Sequence, residues 1–189
     1  MKTALILVDI QNDYFPGGRM ELIGTKEASE KAQEVLSFFR ANQLPIFHIQ
    51  HLATDKRASF FLPNTDGVEI HESVAPLPNE WVIQKNYPNS FRETQLLEKL
   101  KDGGAKRVVI CGAMSHMCID ATTRAASDFG FECVVIHDAC ATRNLTFGNR
   151  TIPAEDVHGA FMSALASAYA KVLSASEFVS LMQGGNAVI

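Results

Sequence analysis

The chain has 189 residues, which is long enough for one sizeable hydrophobic core. Apolar residues make up 47% and charged residues 20%, proportions that exclude a disordered or fibrous protein. The formal net charge is −4, and no block of lysine and arginine stands out, so we expect neither nucleic acid nor membrane as a partner.

Apolar runs rich in β-branched residues alternate along the chain with helical patterns. The runs predict strands at residues 3–9, 44–51, 80–85, 107–113, 131–140 and 170–175. The helical patterns cover residues 25–43, 94–104, 116–130 and 154–170. Because the apolar runs are unbroken, they indicate a sheet that is covered on both faces. The sequence therefore predicts an α/β fold of three layers, α/β/α, with a mostly parallel six-stranded sheet, and residues 1–189 as one domain.

Targeting and assembly signals are weak. The first apolar run is short, is interrupted by Asp9 and is followed by no small-residue cleavage site, so we expect no signal peptide. No stretch is apolar over the length of a bilayer, and a cytoplasmic location is the default expectation. The helical pattern at 154–170 is rich in small residues, which favours either tight packing on the sheet or a homo-oligomer, dimer or tetramer.

Four cysteines stand at positions 111, 118, 133 and 140, without the spacing of a zinc site. We expect free thiols, and packing is the default role for each. Cys118 differs because it lies in "CGAMSHMCIDATTRAAS", where an apolar strand gives way to a helix. A helix start favours the thiolate over the thiol, so Cys118 is a candidate nucleophile.

An acid and a lysine end two other predicted strands. Asp9 follows the first strand and Lys85 ends the third, so both should meet Cys118 at the carboxyl edge of a parallel sheet. A lysine ammonium would further favour the thiolate, and a carboxylate could accept and return its proton. Taken singly, Asp9 would be a turn residue and Lys85 a surface residue. The spacing alone leaves both interpretations open.

Three blocks of the sequence resemble a known family. "ALILVDIQNDY" with the following "PGG", then "KNYPNSFRETQLLEKL", then "VVICGAMSHMCIDATTRAASDFGFECVVIHDACAT" are similar to the motifs of the isochorismatase-like cysteine hydrolases, over roughly residues 3–180. That family includes nicotinamidases, N-carbamoylsarcosine amidases, ureidoacrylate and biuret hydrolases, and isochorismatases. The resemblance implies the same α/β sheet.

The resemblance also implies roles for particular residues. The family's catalytic Asp, Lys and Cys fall on Asp9, Lys85 and Cys118. It implies a cis peptide bond between Ala113 and Met114, and an oxyanion hole formed by the N–H groups of Met114 and Cys118. Cys118 would then attack an amide-like carbonyl and form an acyl-enzyme.

The sequence departs from the metal-dependent nicotinamidases. Those enzymes carry Asp-x-His after the second strand, where this chain has Gln50 and Leu52, and a later His that falls on Phe60 or Phe61. We therefore expect no metal and no cofactor. An unusual site built from the nearby histidines stays an alternative, with His48, His51 and His71 as its members.

Residues 52–79 show no clear period and contain several prolines, as expected of a loop that covers a substrate. Aromatic side chains around the predicted site would suit a planar or apolar acyl group. The candidate substrate-binding residues are Tyr14, Phe15, His51, Phe60, Phe61, Phe91 and His116. Core packing is an equal alternative for several of the phenylalanines.

These observations favour a cysteine hydrolase acting on a small amide, ureido or related substrate. Two alternatives stay open: isochorismate-type ether hydrolysis, which some relatives perform without a cysteine, and a catalytically inert binding or assembly member of the family. An inert member would be expected to lack part of the triad, whereas Asp9, Lys85 and Cys118 are all present.

Overall fold

The computed structural model describes residues 2–184 and builds its strands from the apolar runs. The strands are β1 (Thr3–Val8), β2 (Ile46–His51), β3 (Trp81–Lys85), β4 (Arg107–Ala113), β5 (Glu132–Ala141), β6 (Leu145–Phe147), β7 (Arg150–Ile152) and β8 (Lys171–Leu173). The helices are α1 (Thr25–Ala41), α2 (Leu96–Asp102), α3 (Asp120–Asp128), α4 (Ala154–Ala168) and α5 (Ala175–Gln183). Within residues 2–184, no helix combines the length and the apolarity needed to cross a bilayer.

Six of the strands form one sheet in the order β3-β2-β1-β4-β5-β8, with every neighbouring pair parallel. Every residue of β1 and β4 is buried, because these central strands have helices on both faces. Helices α1 and α5 pack together on one face, where the rings of Phe39 and Phe178 stack. Helices α3 and α4 pack together and contact β5 and β8 respectively. The predicted six-stranded parallel α/β/α fold is confirmed.

Three local features differ from the sequence prediction. The helix predicted from residue 116 begins with a π-helical turn, Ser115–Ile119, before α3. The hairpin β6–β7 and the helix α5 were not predicted, because β6 and β7 are only three residues long and α5 lies beyond the last periodic segment. The sixth strand is shorter than predicted: Ala170 precedes it, Ser174 caps α5 in a capping box with Glu177, and Ala175 begins that helix.

Gly112 allows β1 and β4, the two central strands, to approach each other closely at the carboxyl edge of the sheet. Its φ is +125°, and a Cβ atom built on it would lie 2.0 Å from the carbonyl oxygen of Val8. The β4–β5 register also shifts between Ile110 and Gly112. Only glycine fits this close backbone approach. The turn after β4 is thereby brought against the end of β1.

A buried carboxylate, Glu80, fastens the end of the long 52–80 segment to α1 and β2. Arg40 donates to both of its oxygens, at 2.7 and 2.8 Å, and His48 Nε2 lies 2.8 Å from Oε2. The backbone N–H of Leu77 donates to the same oxygen. Burial alone would raise the pKa of Glu80, but these donors outweigh burial and lower it to about 2. His48 is thus a core residue with its own partner.

We expect Glu80→Gln to lower the free energy of unfolding by about 1 to 3 kcal/mol at pH 7, because charged hydrogen bonds are lost. The pKa of the folded carboxyl lies below its ordinary value of 4.5, so this stabilisation is present above pH 4.5 and is lost as the pH falls toward 2. Urea unfolding at pH 7 and pH 3 should therefore show a smaller difference between wild type and variant at pH 3. Glu98→Gln, at an exposed position of α2, is the matched control.

Candidate active site

The strand order reverses between β1 and β4, the place where open parallel sheets bind ligands beyond their carboxyl ends. Asp9 is the first residue after β1 and is fully buried. Its φ is +53°, in the left-handed region that a non-glycine residue rarely adopts. Such a conformation persists only where the surroundings enforce it, and it is concentrated at functional sites.

Lys85, the last residue of β3, pairs with Asp9 across the end of β2. Its Nζ lies 2.8 Å from Asp9 Oδ2 and donates to the carbonyl oxygen of Pro88 at 2.9 Å. Both side chains are fully buried. Apart from this ion pair, no hydrogen bond of good geometry reaches the Asp9 carboxylate from residues 2–184. The carboxylate therefore keeps lone pairs that can accept a proton.

Cys118 lies in the π-helical turn that follows β4 and is 4% exposed. Its sulfur, a His51 nitrogen and an Asp9 oxygen all lie within 4.8 Å of one another. The Ala113–Met114 peptide bond that precedes the turn is cis. The structure thus brings together the three side chains that the sequence placed at separate strand ends.

The charged groups of this cluster stabilise one another's ionised forms. Burial alone would raise the pKa of Asp9, but Lys85 and His51 outweigh burial and lower it. Burial alone would lower the pKa of Lys85, but Asp9 and Cys118 outweigh burial and raise it. The pair is therefore ionised at neutral pH.

Burial opposes the thiolate form that the helix start favours at Cys118. Burial and the neighbouring Asp9 charge raise the pKa of the thiol far above that of free cysteine, and Lys85 offsets this only in part. The sequence pattern shows the helix start and the lysine, which lower the pKa of a thiol. It does not show that the sulfur is buried beside an anion, which raises this pKa. Cys118 is a neutral thiol next to a carboxylate that can accept its proton.

Alkylation measures the state of this thiol. We expect iodoacetamide to modify Cys118 slowly at pH 7, at a rate that still increases above pH 9 because the thiolate fraction is still growing there. Mass spectrometry of the Cys118 peptide across pH 6–10 follows the reaction, and Cys118→Ser gives the background from the other cysteines. A rate that levels off near pH 7 would contradict the raised pKa.

An aromatic surface lies next to the cluster of Asp9, Lys85 and Cys118. His51 Nδ1 is 3.8 Å from Asp9 Oδ2, and the His51 ring lies 5.8 Å from that of Phe61. Phe61 packs against Tyr14 at 4.6 Å and against Phe60 at 4.9 Å. His51, Phe60 and Phe61 line a cavity of ≈ 310 Å³ together with Ala53, Thr54, Asp55, Ala58, Asn86 and Tyr87. Its size and mixed lining suit a small, partly planar molecule.

Two predicted substrate contacts are packed elsewhere. The ring of Phe91 lies 5.2 Å from that of Phe129 and 6.4 Å from that of Phe131, at the amino end of β5. Phe91 fills the core there, because the chain turns back from the carboxyl edge of the sheet directly after β3. Phe15 is buried and stacks on His71 at 3.5 Å, so it supports the covering segment from the interior.

The turn that contains Cys118 is held by three polar contacts of His116 and Ser115. His116 Nδ1 lies 2.7 Å from Thr142 Oγ1 at the end of β5, and its ring is half-buried. Ser115 is fully buried, with its Oγ 2.8 Å from His158 Nδ1 and donating to the carbonyl oxygen of Ala141. Ser115 and His158 could not be predicted as partners, because a serine and a histidine 43 residues apart give no local signal.

The nicotinamidase-type metal site does not fit this chain. Gln50, at the position of its acid, is buried, donates to the carbonyl oxygen of Val68 and accepts from Gln84. The three nearby histidines also do not converge: His48 pairs with Glu80, His71 with Ser73, and His51 with Asp9. Within residues 2–184, donors for a cation come together in Asp9, His51 and Cys118, where the Lys85 ammonium already neutralises the carboxylate and opposes a second cation.

The fold and the site together define a parallel α/β protein with a buried acid–lysine–cysteine cluster at its topological switch point. An isochorismatase domain model matches residues 3–177. The chain belongs to the isochorismatase family, and its relatives include a streptothricin hydrolase and a nicotinamidase.

Three relatives show how far the similarity extends. An uncharacterized isochorismatase family protein of Bacillus subtilis is 52% identical over 95% of this chain and 99% of its own length. A solved structure from Oleispira antarctica, described as an isochorismatase hydrolase, is 52% identical in sequence. Its TM-score is 0.90, and the match covers 95% of this chain and 96% of that chain. A nicotinamidase of Arabidopsis thaliana is 27% identical over 88% of this chain and 82% of its own length.

Proposed function

We propose that this hydrolase cleaves a C–N bond of a small amide or ureido substrate, with Cys118 as nucleophile. The observation that carries the proposal is the buried cluster itself: Asp9 is ion-paired to Lys85 at 2.8 Å and lies beside the buried sulfur of Cys118. The amide chemistry in the name of the nicotinamidase relative supports the same reaction class.

The first half of the reaction transfers the acyl group to sulfur. Asp9 accepts the thiol proton while the sulfur of Cys118 attacks the carbonyl carbon. The N–H groups of Met114 and Cys118 are the proposed donors to the resulting oxyanion. Asp9 then passes its proton to the leaving nitrogen, the C–N bond breaks, and ammonia or an amine departs from a thioester.

Water completes the cycle. Asp9 accepts a proton from a water molecule that attacks the thioester, and the breakdown of the tetrahedral intermediate returns this proton to the sulfur. The product is a carboxylic or carbamic acid. Lys85 stays charged throughout and keeps Asp9 ionised, so that the base is ready at neutral pH.

A panel of small amides, ureides and carbamoyl compounds, including nicotinamide and also isochorismate, tests this function. We expect ammonia or amine release from at least one C–N substrate. We also expect this activity to be unaffected by chelator, because Gln50 and Leu52 stand where the metal-dependent enzymes have ligands. Turnover of isochorismate alone, retained in Cys118→Ala, would instead establish the ether route.

The predicted homo-oligomer and the cytoplasmic location stay predictions. Light scattering coupled to gel filtration at several protein concentrations measures the former.

A further inference from the structure

A second buried acid, Asp13, follows Asp9 in the loop after β1 and has no role in the proposed chemistry. It is 2% exposed and sits in the short 3-10 turn Asn12–Tyr14. Its Oδ2 accepts the backbone N–H of Phe61 at 2.6 Å, and its Oδ1 accepts that of Arg19 at 3.2 Å. The carboxylate therefore joins the loop after β1 to a segment 48 residues further along the chain.

Phe61 is held in a demanding conformation at this contact. Its φ is +57°, which is unfavourable for a phenylalanine, and it is 1% exposed. Both of its backbone polar groups are bound: the N–H by Asp13, and the carbonyl oxygen by the N–H of Ala53 at 2.9 Å. Charge-assisted hydrogen bonds are the stronger kind, so the Asp13 contact is well suited to offset the strain. The Phe61 ring is thereby fixed against Tyr14 and His51.

The same carboxylate meets the covering segment a second time, at Gly67. A Cβ atom built on Gly67 would lie 2.1 Å from Asp13 Oδ1 and 2.3 Å from its Cγ, so the carboxylate would have to shift away from the two backbone N–H groups that it binds. Gly67 does not have a positive φ, so space alone requires a glycine here. One buried side chain thus contacts residues 53–67 at two points, Phe61 and Gly67, and this range includes Phe60 and Phe61 of the ≈ 310 Å³ cavity.

We propose that Asp13 is a positioning residue that sets the shape of the substrate cavity by clamping residues 53–67 through Phe61 and Gly67. The proposal rests on the proposed function in taking this cavity as the substrate site. Asp13 acts through Phe61 on substrate binding and leaves Asp9, Lys85 and Cys118 undisturbed. Its loss should therefore raise KM while kcat changes little.

A double-mutant cycle tests the clamp. We expect Asp13→Ala and Gly67→Ala each to raise KM about tenfold with kcat within about threefold of wild type, a change of the size expected from losing one hydrogen bond to a charged group. The double variant should be no worse than Asp13→Ala, because removing the carboxylate makes room for the new Cβ atom. Independent structural damage would instead multiply the two effects and overturn the proposal.

Amide hydrogen exchange at Phe61 gives a measurement that needs no substrate. We expect Asp13→Ala and Gly67→Ala to lose protection at this N–H, while Gly159→Ala, in an open position of α4, changes neither exchange nor KM. If Asp13→Ala does not fold, Asp13→Asn, which keeps one oxygen acceptor but loses the charge, takes its place as a single variant in the comparisons of Phe61 exchange and of KM. Unchanged Phe61 exchange and unchanged KM in the folded variant would overturn the clamp. A wild type without hydrolase activity, but with the expected exchange, would refute the proposed function alone.

Discussion

Cys118→Ala is expected to reduce turnover at least about 10⁴-fold, because the acyl group then has no atom to which it can be transferred. The fold should survive, since alanine fills most of the space of a buried thiol and removes no hydrogen bond on which the turn depends. The free energy of unfolding should change by no more than about 1 to 2 kcal/mol. Steady-state kinetics on the best substrate of the panel, together with urea unfolding, measure both quantities.

Cys133→Ala is the matched control for this variant. Cys133 is equally buried and lies in β5, with its sulfur near the carbonyl oxygens of Thr123 and Phe131. Its loss should leave the kinetics at wild-type level. Substantial C–N hydrolysis by Cys118→Ala would show that Cys118 is not the nucleophile. The Asp9–Lys85 pair would then have to activate water directly.

The sheet could be predicted because its strands are written in the sequence as continuous apolar runs. β1 and β4 differ from their predicted bounds by at most one residue, since both are buried on every side and end at polar or glycine-rich turns. The hairpin β6–β7 and helix α5 could not be predicted in this way. Short strands give no measurable alternation, and α5 is fixed by contacts with α1 that are distant in the sequence.

The sequence predicted which residues of the candidate site lie close together, because the topology of the sheet determines this. Strand ends in a parallel sheet meet at one edge, so Asp9, Lys85 and Cys118 could be placed together before any contact was known. What a local pattern does not contain is burial: the helix start at Cys118 was visible, whereas the enclosure that raises its pKa was not. The contact between Asp13 and Gly67 is of the same kind, because it joins residues that no periodicity relates.

The second large effect is expected from Lys85→Met, which leaves the Asp9 carboxylate buried without its counter-charge. We expect the free energy of unfolding to fall by about 3 to 5 kcal/mol at pH 7 and activity to fall by at least about 10³-fold. In wild type, the lowered pKa of Asp9 contributes stability above its ordinary value of 3.8, and this is lost as the pH falls through the folded pKa. Without Lys85, burial raises that pKa. The free energy of unfolding of the variant should therefore approach that of wild type as the pH is lowered from 7 to 5.

The double variant Asp9→Asn/Lys85→Met separates the structural role of the pair from its catalytic role. It replaces the buried charges with neutral side chains of similar size, and asparagine tolerates the positive φ at position 9. Stability at pH 7 should therefore return to within about 2 kcal/mol of wild type, while activity stays lost because no base accepts the thiol proton. If Lys85→Met were as stable as wild type, the ion pair would contribute nothing to the fold. If the double variant regained activity, Asp9 could not be the base, since the proton of Cys118 would then have to leave by another path.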